Sequence, residues 1–236
     1  MSYEEKVSIE LIRWKRQMLK RPGYFNNISK AVQNRINRLI PEKIHKGITV
    51  TIKQMVRGVL FGANKSTKKM NDFTDLLARD LAADEKIKTY QGTAAIEGAI
   101  TGAGGILLGL ADFPLLLALK IKLLFELAAI YGYETNDYKE RLYILHIFQL
   151  AFSSAVHRKN VFVNMLDWDI RMKDMPEDIH QFDWRTFQQE YRDYIDLAKM
   201  AQLIPVIGAP VGAITNYSLV KKLGKTAMNA YRMRVL

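Results

Sequence analysis

The chain of 236 residues contains no cysteine. That absence removes disulfides, thiolate metal sites and thiol nucleophiles together, and it fits a cytoplasmic setting. No G-x-S-x-G elbow, H-E-x-x-H pair or G-x-G-x-x-G fingerprint occurs, so the usual hydrolase, zinc-peptidase and dinucleotide signatures are missing. The turn-rich stretch 62–69 holds a Gly and several Lys, but without P-loop spacing or a preceding strand. The opening MSYEEKVSIELIRWK has early acids and no apolar core, so a secretory signal is not expected. Acidic residues are absent from 201–236.

The charge that is present is unevenly placed. Residues 1–90 hold 19 Lys/Arg against 9 Asp/Glu, 91–200 hold 11 against 15, and 201–236 hold 5 against none. The two basic ends outweigh a mildly acidic middle, leaving the whole chain at +11, and point to a polyanion, either nucleic acid or the anionic inner leaflet of a membrane. No zinc-finger, RRM or basic-zipper pattern accompanies the basic third, which makes nucleic acid the weaker choice.

Residues 92–133 are the most apolar part of the chain. They read as a helical hairpin meeting at Ala111-Asp112, with Asp112-Phe113-Pro114 as the N-terminal cap and first turn of the second arm. On the first arm Gly98, Gly102, Gly105 and Gly109 form one smooth stripe, joined by Ala94. Several glycines on one exposed helix face would cost about 1 kcal/mol each against alanine, so a close neighbour or lipid is expected there. Gly208 and Gly212 repeat the device near the C-terminus, with Pro205 and Pro210 expected to bracket a turn. The second arm is about 30 Å long at 1.5 Å per residue, enough to cross a bilayer. Lys120, Lys122 and Glu126 would each cost about 2.5–3.5 kcal/mol at mid-membrane, which outweighs its leucines and favours a buried central helix.

Around this hairpin the pattern is helical throughout. Ser2 and Glu5 form a capping box ahead of a helix with Val7, Leu11 and Trp14 on one face. Lys6, Arg13 and Lys20 line its flank, with Trp14 expected beside them as an interfacial anchor. A second helix is expected over 28–40 and a third over 42–62, the latter with Lys43, Lys46, Lys53 and Arg57 outside. Asp72 is expected to cap a fourth helix, running to about Tyr90. Asp137 should cap a buried helix of about 138–159 in which His146 reads as a core residue. The acidic stretch 167–185 matches no metal-ligand spacing and reads as linker and caps, with Asp183 opening a helix striped by Trp184, Phe187, Tyr191 and Tyr194. At the C-terminus Lys221, Lys222, Lys225, Arg232 and Arg234 are placed to reach lipid headgroups.

The expectation is one all-α domain, 1–236: a multi-helix bundle around the central glycine-rich apolar hairpin. It has a basic helical part (1–90), the hairpin (92–133) and C-terminal helices (137–236). Four segments, EEKVSIELIRWKRQMLKRP, NRLIPEKIHKGITVTIKQMVRGVL, GAGGILLGLADFPLLL and LIPVIGAPVGAITNY, resemble the EcsC family, across essentially the whole chain. That resemblance implies a helical protein of Bacillus-like bacteria encoded beside an ABC transporter thought to act in secretion or export. It supplies no catalytic residue. The expected function is non-enzymatic binding of anionic lipid or a transporter subunit at the inner face of the cell membrane. It would act through the basic helices and a small-residue apolar groove, with no cofactor and no metal. A hydrolase without a recognisable motif and a nucleic-acid binder are the alternatives.

Overall fold

The computed structural model describes residues 1–20, 42–61, 73, 75–103, 105–154, 157–181, 183, 185, 187, 189, 191, 195 and 208–236. For 42–45, 101–103, 105–110 and 208–211 it describes the backbone course alone. The helix expected over 28–40, the connector 62–69, the Asp72 cap, Trp184, Tyr194 and Pro205 lie outside these residues. Among them the fold is all-α: α1 (Tyr3–Leu19), α2 (Glu42–Phe61), α3 (Leu76–Ala103), α4 (Gly105–Ile130), α5 (Tyr138–Phe152), α6 (Arg158–Met165), α7 (Trp168–Arg171) and α8 (Gly208–Val235). Short 3-10 turns at Met172–Asp174 and Ile179–Gln181 follow α7.

Local signals explain several boundaries. Ser2 Oγ accepts from Glu5 N at 3.2 Å while Ser2 N donates back to Glu5 Oε2 at 2.8 Å, closing the capping box of α1. Asp75 takes the cap of α3, accepting from Ala78 N at 2.7 Å, and Asp137 caps α5 through Lys139 N at 2.9 Å. Ile48, Ile52, Val56 and Val59 bury one stripe of α2. Phe187 N donates to Asp183 O at 3.2 Å, an i to i+4 backbone bond after the acidic stretch.

Three long helices form the centre. Tyr131 and Arg79, Tyr90 and Glu126 are bonded pairs whose numbers rise on one helix as they fall on the other, so α3 and α4 are antiparallel. The same holds for α3 and α8 through Asp80 with Arg232, Asp84 with Lys225, and Gly98 with Gly212. Consequently α4 and α8 run parallel, and the chain reverses between the end of α3 at Ala103 and the start of α4 at Gly105.

This reversal corrects two expectations. Ala111, Asp112 and Pro114 lie inside α4 rather than at its start. Gly98 and Gly102 are therefore on α3 while Gly105 and Gly109 are on α4, so no single-helix stripe exists. A helix begun at Gly105 carries Phe113, Leu116 and Leu117 into the core. A proline inside a helix costs about 3 kcal/mol, which that burial offsets. Likewise α3 runs through Tyr90 to Ala103 without a break, the expected helix 138–159 stops at Phe152, and Pro210 sits in the first turn of α8 rather than in a connecting turn.

Candidate functional site

At one end of the three-helix unit, called the tip here, small residues bring backbones together. A Cβ added to Gly98 would lie 2.5 Å from Gly212 O, so α3 and α8 touch there main chain to main chain. The small-residue groove expected to receive a ligand is thus filled, at this point, by the protein's own C-terminal helix. Asn216, one turn on from Gly212, donates its Nδ2 to Gly212 O at 3.3 Å and accepts from Lys120 Nζ at 3.0 Å. Lys120 is fully buried and also donates to Leu116 O at 3.3 Å. Burial pushes its ammonium down to about 7, against a smaller upward pull from the Glu97 carboxylate. Glu97 is itself raised by burial, partly countered by Lys120, with Asp112 adding to the rise.

The outside of the tip is the reverse of this polar interior. In residues 92–100, 111–121 and 212–220 the charged side chains are Glu97, Asp112 and Lys120, and none of the three is exposed. What is exposed is Ile96, Ile100, Leu115 and Ile214, each between 59% and 70%, together with Tyr217 and small residues. Moving away from the tip, the first exposed charge is Lys88 on α3, Lys122 on α4 and Lys221 on α8. Lys122 falls seven residues after Leu115, and Lys221 seven after Ile214, so each lies on its isoleucine or leucine stripe.

A family model for EcsC proteins matches residues 5–236. The chain belongs to the EcsC family. It is 45% identical over 228 residues to Protein EcsC of Bacillus subtilis (strain 168), covering 96% of this chain and 94% of that one. It is also 27% identical over 247 aligned positions to the B. subtilis protein YdbA, covering 95% and 90%. No solved structure matches it.

For an EcsC-family chain read as a membrane-surface protein, the placement of each basic residue matters. Lys6, Arg13 and Lys20 are exposed on α1, and Lys46, Lys53 and Arg57 on α2. Lys43 belongs to α2, with its side chain outside the described ones. Lys221, Lys222 and Lys225 are exposed on α8, Lys225 pairing with Asp84 at 2.7 Å. Trp14 is half-buried, with its ring edge-on to Phe162 at 5.3 Å between centroids, so it joins α1 to α6 rather than standing out as an anchor. Gly102, Gly105, Gly109 and Gly208 lie where the backbone alone is described.

Arg232 and Arg234 are not headgroup ligands either, because both close ion pairs inside the fold. Asp80 accepts from Arg232 Nε at 3.0–3.1 Å, from Tyr3 Oη at 2.6 Å and from Tyr131 Oη. Arg234 bonds Glu140 at 2.7 Å and chelates Asp169, with its guanidinium 3.8 Å from the Tyr133 ring centre. His146 packs edge-on to Trp168 and Phe187, contacts Gln149 at 3.3 Å and lines a cavity of about 340 Å³. Burial pushes its imidazole down to about 4, which suits a neutral core residue. Among the described residues no group of three or more His, Asp or Glu could hold a metal.

The Lys120–Asn216–Glu97 cluster has no place among the expected functional residues. Its signal was nonetheless in the sequence: Lys120 lies nearly opposite Lys122 and Glu126 on an otherwise apolar helix. Asn216 follows Gly212 by four in a run, 201–220, that has no charged residue. What no helix period supplies is that these two positions face each other across 96 residues.

Proposed function

We propose that this EcsC-family chain is a non-enzymatic protein of the inner membrane surface that binds anionic lipid, and a transporter subunit in that setting, in support of export. The observation that supports the reading is how the fold sorts its basic residues. Arg79, Arg141, Arg232 and Arg234 are spent on carbonyls and carboxylates within the bundle. Three helices keep lysines and arginines exposed, in rows on α1 and α2 and as the Lys221–Lys222 pair on α8. Each Lys or Arg close to an anionic leaflet contributes about 1 kcal/mol at low salt, so several acting together suffice for reversible attachment. No described helix is long and apolar enough to cross a membrane, which favours attachment to a surface over a span.

Co-sedimentation with vesicles tests this. The protein should pellet with phosphatidylglycerol-containing vesicles at low salt and much less with pure phosphatidylcholine. Equal recovery in the supernatant with both would sink direct lipid binding and move the search to the transporter proteins.

A further inference from the structure

We propose that the tip of α3, α4 and α8 enters an anionic bilayer from one side and ends within it. Ile96, Ile100, Leu115 and Ile214 would sit among acyl chains, with Lys88, Lys122 and Lys221 at the phosphates. The inference rests on the surface reading above and adds which part of the molecule makes the contact and how.

Three observations carry it. The tip is inverted relative to a water-facing helix end: its exposed side chains are uncharged, Lys120 and Asn216 are buried, and Glu97 and Asp112 are half-buried. In water such an arrangement leaves apolar surface wet and a lysine desolvated; in lipid, inward pairing of polar groups is what the solvent demands. Second, the edge of the zone without exposed charge is lysine on all three helices, which matches the sign of an anionic leaflet. Seven residues separate Leu115 from Lys122 and Ile214 from Lys221, about 10 Å at 1.5 Å per residue, so an apolar side chain and its lysine reach acyl and phosphate depth together. Third, the reach is finite. From Lys122 to the start of α4 at Gly105 is about 26 Å, less than the roughly 30 Å of a hydrocarbon core, so the hairpin can enter but does not emerge. A protein groove could cover the same isoleucines, but it would not call for lysine at every boundary.

The absence of native cysteine makes single-site labelling direct. Ile214→Cys and Ile96→Cys, each carrying a polarity-sensitive fluorophore, should shift to the blue on vesicles of mixed phosphatidylglycerol and phosphatidylcholine. Lipids spin-labelled along the acyl chain should quench them. The same probe on Ile170→Cys, exposed at the opposite end beside the Asp169–Arg234 pair, should stay aqueous. Lys122→Glu with Lys221→Glu should lower affinity for these vesicles at least tenfold while leaving the unfolding curve in place. Ile96→Asp with Ile214→Asp should abolish the binding that survives high salt. Co-sedimentation with all probes aqueous, or a shift at 170 in place of 214, would overturn tip insertion and leave surface attachment standing. No co-sedimentation with any vesicle would remove both.

Discussion

The two ends of the α3–α4–α8 unit handle buried charge in opposite ways. At the base, Asp80 meets Arg232, Tyr3 and Tyr131, and Arg234 meets Glu140 and Asp169, so each of these carboxylates and guanidiniums faces an opposite charge. Stacked tyrosines fill the space between them, Tyr131 and Tyr231 with ring centres 5.5 Å apart. At the tip one lysine is buried against an amide and a carbonyl, helix backbones touch at Gly98 and Gly212, and isoleucines face out. The base is built to be closed, using ion pairs that cost little once formed together but much if one partner is lost. The tip keeps a polar interior and an apolar exterior, an arrangement that makes sense where the surroundings are less polar than water.

The sharpest way to break the contrast is at the base. Asp80→Ala removes the buried carboxylate from Arg232, leaving it Glu10 at 3.5 Å and Asn229 at 3.3 Å, and should cost about 3–5 kcal/mol in urea unfolding. A loss below about 1 kcal/mol would show that the base network does not hold α1, α3, α4 and α8 together. Next comes the tip contact. Gly98→Leu should cost about 1–3 kcal/mol or more, because the obstacle is the Gly212 carbonyl rather than a movable side chain. Gly92→Ala, on the same helix with nothing within 4 Å of the new methyl, should instead stabilise by about 0.5–1 kcal/mol. Stabilisation at both 92 and 98 would mean that backbone propensity, not the α8 contact, governs both.

Lys120→Met separates the two kinds of burial. Because the folded ammonium is pushed down to about 7 from its ordinary value near 10.4, the unfolded chain binds more protons between these pH values. Wild-type stability should therefore gain from this site as pH rises from about 7 to 10, and the methionine variant should lack that gain. Parallel denaturation series for the two proteins across this range would contradict the assignment. The smallest effect on stability is expected from Lys6→Glu, Arg13→Glu and Lys20→Glu, each within about 0.5 kcal/mol because all three are exposed. Their combined effect on vesicle binding should be a clear weakening, and unchanged binding would leave α1 out of the contact.

Much of the helix layout was legible from local pattern. The Ser2–Glu5 box, the Asp137 cap, the stripe of α2 and the end of α4 follow from short-range chemistry. The hairpin reversal was misplaced because Asp112-Phe113-Pro114 has the form of a helix start, and a local reading has no means of weighing that form against Phe113, Leu116 and Leu117 entering the core. The site was less legible than the fold. Exposed basic rows on α1 and α2 follow from period alone, but Arg232 and Arg234 look identical to Lys221 until Asp80, Glu140 and Asp169 are placed beside them.

The sequence by itself determined that the chain is helical, which residues share a face of each helix, and that its apolar and basic parts are segregated. Those properties depend on neighbours within a turn or two. Tertiary structure alone decided that Gly98 meets Gly212, that Lys120 is inside while Lys122 is outside, and that two C-terminal arginines belong to the interior. Each of those outcomes depends on which helix faces which and at what register, and a helix period describes positions around one axis without reference to any other.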